Sequence, residues 1–115
     1  MNKTLNEVRL IGTISKAIVL KQGQYGAYGA FQLSVPEIVK TNNANGDTRE
    51  EPNFLRCVAS GKLAEALLNF GVVGSRIYVS GKIICRSYDD KDGKKQYITE
   101  IKCNDVIFLS RPQTG

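Results

Sequence analysis

Ser60-Gly61-Lys62 stands in RCVASGKLAEALLNFG, where an alternating apolar segment gives way to helical spacing. A Gly-Lys pair at the mouth of a helix is where nucleotide-binding loops cradle phosphate on backbone N–H groups and an ammonium. Such a loop also needs glycine five residues before the pair and Ser or Thr directly after the lysine. Arg56 and Leu63 occupy those places, so the flexible backbone and the magnesium-binding hydroxyl are both missing. YDDKDG fails in a similar way as a calcium loop. Setting Gly93 at the sixth position fits Asp90 and Asp92, but Tyr88 and Thr99 fall where the first and last acidic ligands belong. It reads as a hairpin turn. The paired carboxylates Glu50-Glu51 and Asp89-Asp90 lie in polar loops, with nothing to raise a pKa for acid–base work. The chain has no histidine, which removes the usual general base. Its three cysteines (Cys57, Cys85, Cys103) show no C-x-x-C spacing and read as reduced core thiols rather than a zinc site. No catalytic set, metal site or cofactor site emerges, and the expectation is a protein that is not an enzyme.

What remains is a pattern for binding. From Pro52 to Tyr88 the charged side chains are Arg56, Lys62, Arg76, Lys82 and Arg86, with Glu65 the one acid. A basic middle between acidic loops suits a polyanion track; a solvated surface would have the same composition. The alternation sharpens it. Phe54, Arg56 and Ser60 share one face of a segment whose other face is Leu55, Cys57 and Ala59. Lys82, Ile84, Arg86 and Tyr88 share a face opposite Ile77, Val79, Ile83 and Cys85, which are expected to pack in the core. An aromatic beside an arginine, twice, suits single-stranded nucleic acid: bases stack on rings while cations follow the phosphates. The same rings could instead cover the sheet or meet a partner subunit.

These residues need elements to hold them. The first strand is expected over about Glu7 to Leu20, with Val8, Leu10 and Ile14 on one face and a bulge or bend at Gly12. KQGQYGAYG turns the chain into a second strand, Tyr28 to Val35, with Phe31, Leu33 and Val35 inward. The polar stretch from about Lys40 to Asn53 reads as a loop or a long hairpin tip. A third strand runs from Phe54 to Ser60. Leu63, Leu67 and Phe70 then recur at helical spacing, widened by Ala64, Ala66 and Leu68, with Ser60 or Gly61 as cap and Gly71 as stop. A fourth strand, Arg76 to Tyr88, and a fifth, Gln96 to about Leu109, follow. Three strands, a helix and two strands match an all-β OB-fold, a five-stranded Greek-key barrel with its helix between strands three and four. An SH3-like barrel has no reason to carry that helix there.

The domain is expected over residues 1–109, with 110–115 a short polar tail. The apolar runs are too short to span a bilayer as a helix, and MNKTLNEVRL lacks the continuous apolar stretch of a secretory signal. A cytoplasmic, nucleoid-associated protein is the expectation.

NEVRLIGTI, FLRCVASGKLAEAL, GSRIYVSGKI and RSYDDKDGKKQYITE, in this order, resemble the bacterial-type single-stranded DNA-binding protein from about Asn6 to Leu109. The resemblance implies an OB-fold that assembles as a homotetramer and wraps single-stranded DNA, regardless of sequence, in replication, recombination and repair. It places Phe54 and Tyr88 at base-stacking positions, and Arg56, Lys62 and Arg86 near the strand path. The chain also departs from the family. Ser60 stands where Phe or Trp is common, Val39 lies near another usual Trp, and Val72-Val73 replaces a basic pair. Tyr25 and Tyr28 are candidates to replace the missing rings. The family's acidic carboxy-terminal tail, which recruits partner enzymes, is not in this sequence: it is either a shortened form or a divergent member without that route. The competing expectation is an OB-fold accessory module that chiefly binds a replication or recombination protein.

Overall fold

The computed structural model describes residues 3–24, 26–41 and 46–112. Among them the elements run β1 (Val8–Gly23), β2 (Gly26–Ser34), β3 (Glu37–Lys40), β4 (Thr48–Glu51), β5 (Phe54–Ser60), α1 (Gly61–Phe70), β6 (Arg76–Asp89) and β7 (Lys95–Ser110). Five strands close a barrel in the order β1-β2-β5-β7-β6, and β6 returns to β1. Every neighbouring pair is antiparallel except β5 and β7, joined in parallel at Cys57↔Ile101 and Val58↔Lys102. That is the Greek-key path of an OB-fold. The polar stretch after Pro36 forms a hairpin of its own, β3 on β4, from Glu37↔Glu51 to Lys40↔Thr48. With these strands counted, α1 falls between the fifth and sixth strands of the chain; among barrel strands it still follows the third.

The inward faces fill one core. Ile14, Phe31, Leu33, Cys57, Ala59, Ile77, Val79, Ile101 and Cys103 are buried in it, and α1 closes the barrel with Ala64 and Leu67. Period-2 alternation marks these strands because each has one face on this core and one outside. The neighbouring Cys103 first, then burial, push the Cys57 thiol well above the ordinary range. Cys57 is a packing residue, not a nucleophile.

Several sequence expectations change here. Gly12 is not a bulge; the register of β1 shifts later, between Ile14 and Lys16 and again before Val19. Glycine is needed at 12 because a Cβ there would lie 2.5 Å from the Ser34 carbonyl oxygen. Ile83 and Cys85 are exposed, although they lie on the strand face expected to be inner. β6 pairs with β1 only from Arg76 to Gly81, and its register with β7 shifts at Ser80/Gly81. β7 stays paired with β5 through Lys102 and Ile101, opposite Lys82 and Ile83, and only past that point do β6 and β7 run on as a two-stranded arm. Phe70 is exposed too, meeting Phe108 edge-on at 6.2 Å between ring centroids. It is the last residue of α1, and of this helix only Ala64 and Leu67 are buried.

Candidate nucleic-acid interface

β2, β5, β7 and the start of the arm share an open outer face with a groove of about 730 Å³. Its walls come from successive outward residues: Val19 and Lys21 of β1, Tyr28 and Ala30 of β2, Arg56, Val58 and Ser60 of β5, Ile84 and Arg86 of β6, Glu100 and Lys102 of β7. Register fixes their order. Tyr28 faces Ser60, Ala30 faces Val58, and Gln32 faces Arg56 across β2 and β5. Val58 in turn pairs with Lys102, which pairs with Lys82.

Glu100 organises the middle. Its side chain is only 2% exposed, yet it points outward beneath two arginines. Arg86 donates from Nε to Oε1 at 2.8 Å and from Nη2 to Oε2 at 3.3 Å. Arg56 donates from Nε to Oε2. The hydrogen bonds from Arg86 hold the Glu100 carboxyl below the usual range; burial pushes the other way, and Arg56 adds to the lowering. A carboxylate held ionised cannot serve as a general acid. Its effect is positional. Both guanidiniums are held side-on, and the N–H donors that Glu100 does not use remain for another anion. The trio of two arginines and one carboxylate carries one net positive charge.

Phe54 precedes Arg56 by two residues on the same face of β5, and Tyr88 follows Arg86 by two on the same face of the arm. Phe54 is 56% exposed and Tyr88 45%, and neither stacks on another ring among the described residues. Apolar rings left bare beside a basic groove are contact surfaces in search of a flat partner.

A family model described as the single-strand binding protein family matches residues 5–109. The chain belongs to that family. It is 37% identical over 112 residues to single-stranded DNA-binding protein 3 of Listeria innocua, spanning 96% of this chain and 68% of that protein. It is 38% identical over 107 residues to single-stranded DNA-binding protein 3 of Clostridium acetobutylicum, spanning 91% of this chain and 71% of that one. Among solved structures, a chain of the Plasmodium falciparum SSB complex with ssDNA superposes with a TM-score of 0.81 at 26% identity. That match covers 96% of this chain and all of the other.

In this single-strand binding protein the sequence-derived residues divide. Arg56, Ser60 and Arg86 line the groove. Lys82 lies at its rim, opposite Lys102 in register. Phe54 and Tyr88 flank the arginines from outside the groove. Lys62 is exposed in the first turn of α1, beyond the end of β5. Ser60 is the N-cap residue by position, but its hydroxyl makes no capping hydrogen bond. The bend into α1 depends instead on Gly61, whose φ of +62° favours glycine. Cys85 is exposed on the arm and is no core thiol. Tyr25 lies outside the described residues. Asp90 anchors the hairpin turn: its carboxylate accepts the Asp92 and Lys94 amides, both at 2.9 Å, and the Gln96 side chain at 3.0 Å.

Glu100, Lys102 and Lys21 were missed by the sequence reading. Glu100 offered one weak signal, an acid directly before the core residues Ile101 and Cys103 of β7. Its partners could not be read from the sequence, because they sit 44 and 14 residues away on two different strands.

Proposed function

We propose that this single-strand binding protein holds single-stranded DNA along the open barrel face without regard to base sequence. Phe54 and Tyr88 stack bases; Arg56, Arg86 and Lys82 meet phosphates, with Lys62 and Ser60 at the far end of the path. The observation that carries it is the Glu100-braced arginine pair flanked on one face by two bare rings. That arrangement fits a flexible polyanion whose bases are unpaired. A duplex keeps its bases stacked inside, where these rings cannot reach them. Every base has a face to stack and every unit a phosphate, so recognition by ring stacking and charge tolerates any base sequence.

The role is one of binding rather than catalysis, in the handling of single strands during replication, recombination and repair in the cytoplasm. Assembly as a homotetramer belongs to the same proposal, and partner proteins of replication or recombination would meet that assembly. It is supported by exposed apolar side chains away from the groove, including Ile11, Ile107, Phe70 and Phe108.

Tyrosine is the reporter, since the chain has five tyrosines and no tryptophan. Oligo-dT added at low salt is expected to quench intrinsic tyrosine fluorescence as Tyr88 stacks. An unchanged signal across a full titration counts against the proposal.

A further inference from the structure

Resting on the binding role just proposed, we infer that Tyr28 and Lys21 form a further nucleotide subsite at the β1–β2 end of the groove, where Tyr28 stacks a base and Lys21 meets its phosphate. Tyr28 is directly opposite Ser60 in the β2–β5 register and opposite Lys21 in the β1–β2 register, and all three line the groove. The ring is 47% exposed and stacks on no other ring among the described residues. It is nonetheless seated. A Cβ built on Gly23 would lie 2.8 Å from Tyr28 Cε1 and 3.0 Å from Cδ1, so the ring rests against bare backbone there.

Ser60 makes room on the other side. Directly opposed residues in an antiparallel pair bring their Cβ atoms within about 5.5 Å, so a bulky residue at 60 would crowd the ring. A hydroxymethyl group leaves the ring open to the groove. Lys21 supplies a cation beside the ring, and Lys102, next along the groove wall, supplies a second. Ring, open space and flanking cations are what a single nucleotide unit needs: a flat apolar surface for the base and positive charge for its phosphate.

The test is oligo-dT affinity for the unaltered chain and five variants, Phe54→Ala among them, with melting temperatures alongside. Tyr28→Ala is expected to weaken binding roughly 5- to 150-fold, the range for loss of one base stack. Tyr28→Phe should bind within about twofold of the unaltered chain, since stacking needs the ring and not the hydroxyl. Adding Ser60→Tyr to Tyr28→Ala should restore affinity, because the opposed strand then offers a ring at the same rung. Lys21→Gln should lower the slope of log affinity against log salt by about 0.7. A 5-bromodeoxyuridine oligonucleotide should cross-link to Tyr28 in the unaltered chain, a readout independent of any folding defect.

Tyr28→Ala binding as tightly as the unaltered chain, while Phe54→Ala weakens it, overturns this subsite and leaves the binding face standing. Tyr28→Phe as weak as Tyr28→Ala overturns stacking in favour of the hydroxyl. An unchanged slope for Lys21→Gln removes its phosphate contact, and cross-links that never fall on Tyr28 refute the subsite directly. Failure of the unaltered chain to bind oligo-dT would instead strike the underlying binding role.

Discussion

Phe54→Ala and Tyr88→Ala are each expected to weaken binding of oligo-dT, oligo-dC and mixed single strands by a common factor, roughly 5- to 150-fold. One base–aromatic stack contributes about 1–3 kcal/mol, and every base has a face to stack. Neither ring supports the fold. Both are about half exposed and contact no other ring among the described residues, and the core closes without them. Truncation at such surface positions ordinarily moves stability by less than about 0.5 kcal/mol. Melting temperatures should therefore stay put while affinity falls. The two positions differ in one respect: β5 is a wall of the barrel, whereas the arm that carries Tyr88, beyond Ile83, is paired only between β6 and β7. The double variant should lose more than either single. A loss confined to one base sequence would mean that these rings take part in specific readout.

Glu100→Gln should affect stability and binding in opposite directions. Glu100 is the one buried acid among the described residues, and its charge is matched by Arg56 and Arg86. A hydrogen bond to a charged group contributes about 1.5–3 kcal/mol, and both arginines stay half exposed and partly solvated when the carboxylate is removed. A loss on the order of 2 kcal/mol at neutral pH follows, read from denaturant unfolding. The folded-state pKa of Glu100 lies below its ordinary value of 4.5. Its contribution is therefore complete above that value and drains away as the pH falls through the folded-state pKa. The gap between the unaltered protein and Glu100→Gln should be widest near neutrality and should close in acid. Asp90, also held low, by the Lys94 amide first and then by Gln96, loses its contribution in the same direction, but equally in both proteins. Binding should move the other way. With the carboxylate gone the groove gains one positive charge, and the salt slope should steepen by about 0.7. A pH-independent gap would show that Glu100 is not ionised in the fold.

How much of this was legible in the sequence follows from what each feature depends on. The barrel strands and α1 are local: Phe31-Leu33, Cys57-Ala59 and Ile77-Val79 alternate because each pair faces one core. The outward face that holds Phe54, Arg56 and Ser60 follows from that alternation alone. Burial does not. Ile83 and Cys85 keep the expected parity, yet they lie past Gly81, where the β1 ladder on β6 ends, and both are exposed. Phe70 keeps helical spacing, but as the last residue of α1 it meets Phe108 at the surface and not the core. The β3–β4 hairpin is ambiguous in sequence, since the polar residues of Thr48–Glu51 match a loop or a hairpin alike. Glu100 was out of reach for a different reason. Its role depends on the parallel pairing of β5 with β7, a register set by barrel closure and not by any stretch of sequence.

The most direct test of the central claim is a salt titration of oligo-dT binding against a duplex of equal length. The groove brings Lys21, Arg56, Lys82, Arg86 and Lys102 against Glu100, a net charge of four. At about 0.7 per phosphate neutralised, log affinity for the single strand should fall with log salt at a slope of about −3 per subunit. The single strand should remain the tighter ligand at every salt concentration, because stacking on Phe54 and Tyr88 survives screening. Equal affinity for single strand and duplex, or single-strand binding that ignores salt, would contradict the account.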